Sequence, residues 1–235
     1  MGNVHEEAWQ ALLRGIHEIG EIFQDDVVFI GGIAVYLHSV ASKMAPEFVE
    51  RSHDADLYIS LPAFDDLRSI ETVTSNPRLR KKQFIKYGMD YDVYLEHNHS
   101  LLVSYADIFR ASSIIDGIRV ASLEHLLVLK MAALVDRENT PKGPKDARDV
   151  IRIILLLKQH GAFRSRLERY FTADTARVLT HLSQSREFAT LARGNFHEAS
   201  GLRDTYVKTV VAISKQMLTA KSPRRGRNLP RRRRS

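Results

Sequence analysis

The chain has 235 residues, of which 44% are hydrophobic and 27% are charged, and it contains no cysteine. This composition predicts one or two globular domains with a buried core, and it excludes disulfides, thiolate metal ligands and cysteine nucleophiles. No apolar run approaches the roughly 20 residues of a membrane span, and the first residues do not have a signal peptide's apolar segment. We therefore expect a cytoplasmic protein without a membrane partner.

The net charge of +7 is concentrated at the C-terminal end. Residues 221–235 hold eight of the 35 Lys and Arg residues and no acid, which leaves 27 basic and 28 acidic side chains in residues 1–220. A segment this basic, without apolar periodicity, is predicted to be disordered on its own. Because Arg-rich runs bind polyanions without reading sequence, this tail is either an anchor for RNA or a solvated segment without a dedicated partner.

The first 121 residues mix helix and strand patterns. Hydrophobic periodicity predicts, in chain order, a helix over 5–23, a strand over 27–31, a helix over 32–43, a strand over 54–60 and a short helix over 61–71. A hairpin around Gly88 follows, and a second hairpin has Asp116-Gly117 in a position that suits a type I′ turn.

After residue 121 the pattern becomes helical. Ser122 suits the N-cap of one helix, and Gly161 suits the end of another. The predicted helices cover 123–137, 146–160 and parts of 163–220, with one start near Thr172. We therefore predict an α+β fold with three parts: a mixed sheet with flanking helices (1–121), an all-helical domain (122–220) and the tail (221–235).

Two pairs of aspartates stand on predicted strands. Asp54 and Asp56 are two residues apart, so their side chains point to the same face of the strand. Two close carboxylates repel each other unless a cation neutralises them, and an all-oxygen donor set suits Mg²⁺ or Mn²⁺. The alternative is the polar face of an ordinary strand.

The second pair, Asp90 and Asp92, also shares one face of a strand. If the two strands are neighbours, one of these residues supplies a third carboxylate to the same metals. Asp92 is favoured because its neighbours are more strand-like, whereas Asp90 lies next to the turn at Gly88.

Gly31 and Gly32 join the first strand to the following helix. They form either an ordinary tight turn or a turn whose bare backbone approaches a phosphate. The start of a helix presents free N–H groups and the positive end of its dipole, which suits a nucleotide's phosphates. Together with the aspartates, this turn predicts a two-metal site for phosphoryl transfer.

Two stretches of the sequence resemble a known family. The turn and the aspartates, GGIAVYLHS and ERSHDADLYI, resemble the signature of the nucleotidyltransferase fold, a Gly-Gly or Gly-Ser turn followed by an Asp-x-Asp strand. Downstream, VASLEHLLVLKMAALVDR and KDARDVIRII resemble the helical part of AbiEii-type nucleotidyltransferases, toxins of bacterial toxin–antitoxin and abortive-infection systems. The resemblance covers roughly residues 28–155 and implies a nucleotidyltransferase-like mixed sheet followed by helices.

The resemblance also implies roles for individual residues. The implied metal ligands are Asp54, Asp56 and Asp92, the implied catalytic set adds Lys130, and the implied nucleotide-binding residues are Gly31, Gly32, Arg51, Lys130, Arg137 and Asp146. The expected reaction needs Mg²⁺ or Mn²⁺ and moves a nucleoside monophosphate from a nucleoside triphosphate to RNA, such as tRNA. A cognate antitoxin protein is a further expected partner.

Three questions stay open at this stage. The stretch RSHDADL also resembles aminoglycoside and lincosamide nucleotidyltransferases, so a small hydroxylated acceptor is an alternative, as is a non-catalytic protein that binds a nucleotide or a partner. Lys130 either contacts the triphosphate or extends to solvent from its apolar helix. Asp146 and Asp149 either position Lys130 or Arg137, or form surface ion pairs.

Overall fold

The computed structural model describes residues 2–77, 81–97, 101–137, 139–162 and 164–220. The predicted tail over 221–235 lies outside the described residues. Within the described part, the strands are β1 (Val27–Ile30), β2 (Asp54–Ile59), β3 (Thr74–Asn76), β4 (Lys81–Lys86), β5 (Met89–Leu95), β6 (Ser113–Ile115) and β7 (Ile118–Val120).

The described helices flank the sheet and then continue alone to the end of the described chain. They are α1 (Gly2–Ile22), α2 (Gly31–Ala41), α3 (Leu61–Ile70), α4 (Tyr105–Ala111), α5 (Leu123–Arg137), α6 (Gly143–His160), α7 (Arg164–Leu167), α8 (Ala173–Leu182), α9 (Glu187–Leu191) and α10 (Phe196–Ala220). A short 3₁₀ turn, Pro46–Phe48, lies in the loop before β2.

The seven strands form one mixed sheet in the order β3-β4-β5-β2-β1-β7-β6. Strand β2 pairs antiparallel with β1 and parallel with β5. Its Asp56 is therefore opposite Ile30 on one side and opposite Asp92 on the other. This register brings the two aspartate strands and the end of β1 to the same part of the sheet.

Burial explains where the sheet and the helices pack. All four residues of β1 are buried, as expected for a central strand whose two faces are both covered. Helix α2 packs against β2 on one side and against α5 and α6 on the other. The helical half of the chain thus contacts the sheet through α2, the helix that begins at Gly31.

Several local predictions are confirmed. Asp116 and Gly117 both have positive φ, 51° and 74°, as a type I′ turn requires. Thr172 caps α8 by accepting a hydrogen bond from the Thr175 amide. Helix α6 ends at Gly161, whose φ is 78°. The predicted α+β class, with a mixed sheet followed by helices, is confirmed.

Some boundaries and elements differ from the prediction. The predicted helix over 5–23 begins earlier, at Gly2, and α2 begins at Gly31 rather than at Gly32. Helix α4 was not predicted, although Ser104 caps it through the Asp107 amide. The domain boundary near residue 121 stays a prediction. In the described ranges we find no helix that combines the length and apolar character needed to cross a membrane.

Candidate active site

The glycine turn and the aspartate strand meet at one cleft. Asp54 and Asp56 begin β2, and Asp56 lies opposite the last residue of β1. Gly31 follows directly and has a φ of 68°, a conformation that favours glycine. A Cβ atom at Gly31 would overlap the Asp56 carboxylate. The Gly31 backbone therefore faces the same cleft as Asp56.

This contact predicts different outcomes for two glycine substitutions. Gly31→Ala should lose about 1–2 kcal/mol of stability for its left-handed backbone, and its methyl group should also displace Asp56 and abolish nucleotide-dependent activity. Gly88→Ala is the matched control, because Gly88 has a φ of 76° but open space around it. Urea unfolding should show a stability loss at Gly31 at least as large as the loss at Gly88, and activity assays should show inactivity only at Gly31. Equal activity in the two variants would contradict the assignment of the turn.

Gly32 packs closely against the Ser52 hydroxyl group, and a side chain at this position would crowd it. A Cβ at Gly32 would come within 2.7 Å of Ser52 Oγ. Ser52 donates a hydrogen bond to Asp54 Oδ1 at 3.1 Å and accepts one from Lys145 Nζ at 3.4 Å. Ser52 thus connects the first aspartate to the first turn of α6.

Asp54 lies in a positive environment. The Nζ atom of Lys142 is 3.9 Å from Asp54 Oδ2. Burial favours protonation of Asp54, but the charges of Lys145 and Lys142 outweigh this effect, and the pKa of Asp54 is lowered. Asp54 is therefore an anion at neutral pH.

The environment of Asp56 acts in the opposite direction and raises its pKa. None of the residues that the structure describes forms a hydrogen bond or an ion pair with its carboxylate. Although the side chain keeps some exposure, desolvation in the cleft and then the charge of Asp54 raise the pKa of Asp56 to about 7. An adjacent carboxylate pair of this kind needs a cation to be fully ionised at neutral pH.

Asp92, and not Asp90, lies beside Asp56 in the register of the sheet. Asp92 is buried, whereas Asp90 is exposed and opposite Asp54. Both carboxylate oxygens of Asp92 already have partners. Lys81 Nζ contacts Oδ2, and Gln83 Nε2 donates to Oδ1 at 2.8 Å. The role of Asp92 as a metal ligand stays a prediction.

Lys130 is buried between two carboxylates of α6. Its Nζ atom is 2.7 Å from Asp149 Oδ2 and 3.4 Å from Asp146 Oδ1. Burial alone would lower the pKa of Lys130, but the charges of Asp149 and Asp146 outweigh burial and raise it. Lys130 therefore does not extend to solvent and is held in the helical half of the chain. Its positive charge acts to lower the pKa of Asp56, although burial and the charge of Asp54 outweigh it.

The two predicted arginines differ in their positions. Arg137 contacts both oxygens of Asp146, at 3.2 and 3.3 Å, and so joins the carboxylates that hold Lys130. Arg51 pairs with Glu6 of α1 at 2.6 Å and lies over the Trp9 ring. Arg51 thus contacts α1 rather than the aspartates, and its role in nucleotide binding stays a prediction.

A partly buried ion network joins α6 to the loop before β2. Arg148 and Arg152 both contact Glu50, at 2.8 and 2.6 Å, and Arg152 also donates to the Phe48 carbonyl oxygen at 2.6 Å. Arg152 further pairs with Asp149, which holds Lys130. This network fixes the loop that leads into the aspartate strand.

The carboxylates fit a divalent cation that is bound together with its substrate. In the described part of the chain, no group of three or more His, Asp or Glu side chains is arranged to hold a metal ion. Mg²⁺, however, is commonly bound by one or two carboxylates, with phosphates and waters filling its other positions. Asp54 and the unpartnered Asp56 provide such a pair of oxygen donors.

Sequence reasoning missed three residues near the aspartates: Ser52, Lys81 and Lys142. A fourth, Lys145, begins the stretch KDARDVIRII but was given no role of its own. Ser52 stands two residues before Asp54, the one local signal that could have identified it. The three lysines come from β4 and the start of α6, so only the tertiary fold brings them to the aspartates.

Comparisons with known proteins support the fold. Neither the protein-family models nor the curated proteins contain a match to the chain. The chain is similar to the crystal structure of an antigenic nucleotidyltransferase-like protein from Paracoccidioides brasiliensis, with a TM-score of 0.53 and 17% identity over 78% of this chain and 93% of that one. It is also similar to JHP933 from Helicobacter pylori, with a TM-score of 0.45 and 15% identity over 91% of this chain and 93% of that one.

The first of these similarities shows the fold alone, because the identity is low. The chain has a nucleotidyltransferase-like fold, as predicted: a seven-stranded mixed sheet with flanking helices and a helical C-terminal region.

Proposed function

We propose that the chain is a nucleotidyltransferase that moves a nucleoside monophosphate from a nucleoside triphosphate to a hydroxyl group, with Mg²⁺ or Mn²⁺. One observation carries this proposal: the Gly31 backbone, at the start of α2, lies against the Asp56 carboxylate. A phosphate bound at the start of this helix would lie next to the two aspartates.

The residues of the cleft have different proposed roles. Asp54 and Asp56 would hold the divalent cation, which when bound neutralises the phosphate oxygens. The amides at the start of α2 bind phosphate oxygens, and the charge of Lys130 acts on the aspartates from the helical half. This arrangement stabilises the charge that builds up on the reacting phosphate.

The proposed reaction is a single displacement. The acceptor hydroxyl oxygen forms a bond to the α-phosphorus, and the bond from that phosphorus to the oxygen bridging to the β-phosphate breaks. Pyrophosphate leaves, and the hydroxyl proton passes to solvent through a carboxylate of the cleft. The products are the acceptor carrying a nucleoside monophosphate, and pyrophosphate.

Lys145 is the best placed lysine for contacting the triphosphate. Its amine reaches Ser52 beside Gly32, and no carboxylate in the described ranges lies within ion-pair distance of it. Lys130, in contrast, is neutralised by two buried aspartates. An ammonium group without a carboxylate partner, next to the start of a helix, favours an anionic ligand.

Lys145→Met should weaken binding of a nucleoside triphosphate about 10- to 100-fold, which is the loss expected for one hydrogen bond to a charged group. Titration calorimetry measures this affinity directly. Lys145→Arg should recover part of it. Lys158→Met is the matched control, because Lys158 is exposed at the far end of α6. Equal affinities of the Lys145 and Lys158 variants would reject the assignment.

We extend the proposal to an RNA acceptor, such as tRNA, and to a toxin role with a cognate antitoxin protein. The resemblance of the two motif regions to AbiEii-type toxins supports this extension. The basic composition of residues 221–235 suits a polyanionic acceptor better than a small molecule.

The direct test is incubation of the purified chain with labelled nucleoside triphosphates and Mg²⁺, either with total RNA or with small hydroxylated acceptors, beside the Asp54→Ala variant. The expected result is label on RNA with the wild-type chain and none with the variant. Absence of transfer to RNA and to small hydroxylated acceptors, or equal transfer by the variant, would reject the proposed activity. Transfer to a small acceptor alone would reject the RNA extension.

A further inference from the structure

The third carboxylate of the cleft is already neutralised by a lysine. Strands β4 and β5 pair antiparallel, with Gln83 opposite Asp92. Lys81 lies two residues before Gln83, on the same face of β4, and its Nζ atom contacts Asp92 Oδ2. The Lys81 and Asp92 side chains are only 11% and 9% exposed.

The two neighbouring carboxylates, Asp56 and Asp92, therefore differ sharply. Asp92 has an ammonium group on one oxygen and an amide on the other. Asp56 forms no hydrogen bond or ion pair with any of the residues that the structure describes. A cation that enters the cleft meets free oxygens at Asp56, but it would have to displace Lys81 to reach those of Asp92.

Displacing Lys81 is costly. Removing one partner of a buried ion pair is strongly destabilising, because the other charge is left without compensation. A second divalent cation at Asp92 would also lie close to the ammonium group, and the two positive charges would repel each other.

We infer that Lys81 takes the place of a second divalent cation, so that the cleft binds one divalent ion, on Asp54 and Asp56. This inference rests on the proposed nucleotidyltransferase function. It differs from the sequence prediction of a two-metal site, because the charge of Lys81 already neutralises Asp92. Asp92 is then a positioning residue that holds the Lys81 ammonium group near Asp56. From this position the positive charge of Lys81 acts on the Asp56 carboxylate.

Counting bound Mn²⁺ tests this inference without any assay of activity. The full chain is titrated with Mn²⁺ in the presence of a non-hydrolysable nucleoside triphosphate analogue, and bound Mn²⁺ is counted by electron paramagnetic resonance. We expect one Mn²⁺ in each complex of the wild-type chain with the analogue, counted after free analogue has been removed, and two in the Lys81→Met complex. Lys82→Met is the matched control, because Lys82 is the next residue of β4 and contacts Ser75 instead; it should bind one.

Two other variants keep the test decisive if Lys81→Met does not fold. Asp92→Asn should still bind one Mn²⁺, and Asp54→Ala should lose it. Two Mn²⁺ in the wild-type chain, a single Mn²⁺ in folded Lys81→Met, or loss of Mn²⁺ in folded Asp92→Asn would overturn the inference and leave the proposed function standing. No bound Mn²⁺ in the wild-type chain would contradict both.

Discussion

Asp56→Asn should reduce nucleotidyl transfer by about 10²–10³-fold or more, and it should make the metal-free protein more stable. Activity falls because the amide cannot supply the negative charge that holds the cation. Stability rises because Asn removes a carboxylate that has no partner in the described chain and that Asp54 repels. A variant that loses function while gaining stability would mark Asp56 as a functional residue rather than a structural one.

The gain in stability should depend on pH. The pKa of Asp56 is about 7 in the folded chain, against 3.8 for an ordinary aspartate. Between these values the folded state keeps a proton that the unfolded state has lost, so the stability of the metal-free wild type falls as pH rises from about 4 to about 7. At pH values of about 8, Asn should therefore add about 2 kcal/mol, roughly half of what the full pKa difference implies, because Asp56 keeps contact with solvent.

Thermal unfolding in a chelator, at pH values of about 5 and about 8, measures this dependence. Each kcal/mol corresponds to roughly 2–4 °C in a domain of this size. Asp65→Asn is the control, because Asp65 is exposed on α3, and its stability should change by less than about 0.5 kcal/mol. A destabilised Asp56→Asn variant, or a gain in stability that does not vary with pH, would contradict the account.

Lys130→Met should lower the free energy of unfolding by about 3 kcal/mol, the lower end of the range for breaking a buried ion pair. The loss is limited because Arg137 and Arg152 still pair with Asp146 and Asp149. Since the cost comes from uncompensated carboxylates, adding Asp149→Asn should recover part of it.

Urea unfolding at neutral pH measures the effect of Lys130→Met, and Lys158→Met is the exposed control. We expect a large loss of stability at Lys130 and a change below about 0.5 kcal/mol at Lys158. Unchanged stability of Lys130→Met, together with lost nucleotide binding, would show instead that Lys130 contacts the triphosphate directly.

Local patterns in the sequence were sufficient to predict that Gly31, Asp54 and Asp56 lie together. The two-residue spacing of Asp54 and Asp56 fixes a shared face on any strand, and Gly31 marks the turn where β1 ends. Asp92 was favoured over Asp90 from the residues around it, and the register of β2 and β5 places it beside Asp56. Helix α4 was missed although its Ser-x-x-Asp start is a recognisable capping signal.

The charges around the centre depend on tertiary structure. Lys145 reaches Ser52 across 93 positions of the sequence, through the packing of α6 against α2. The pairing of Lys81 with Asp92 depends on the register of β4 and β5, and nothing in the local pattern of β4 distinguishes Lys81 from Lys82. The partners of Lys130 were among the residues considered, but its burial between them follows only from the contact of α5 with α6.

Transfer of a nucleoside monophosphate by the cleft of Gly31, Asp54 and Asp56 can be followed with two labels. The wild-type chain and Asp54→Ala are each incubated with a nucleoside triphosphate labelled at either the α- or the γ-phosphate, in the presence of total RNA or of a panel of small hydroxylated acceptors. We expect the wild-type chain to transfer the α-label to an acceptor and to release the γ-label as pyrophosphate, and we expect Asp54→Ala to do neither. Transfer of the γ-label, or undiminished transfer by the variant, would contradict the proposed activity.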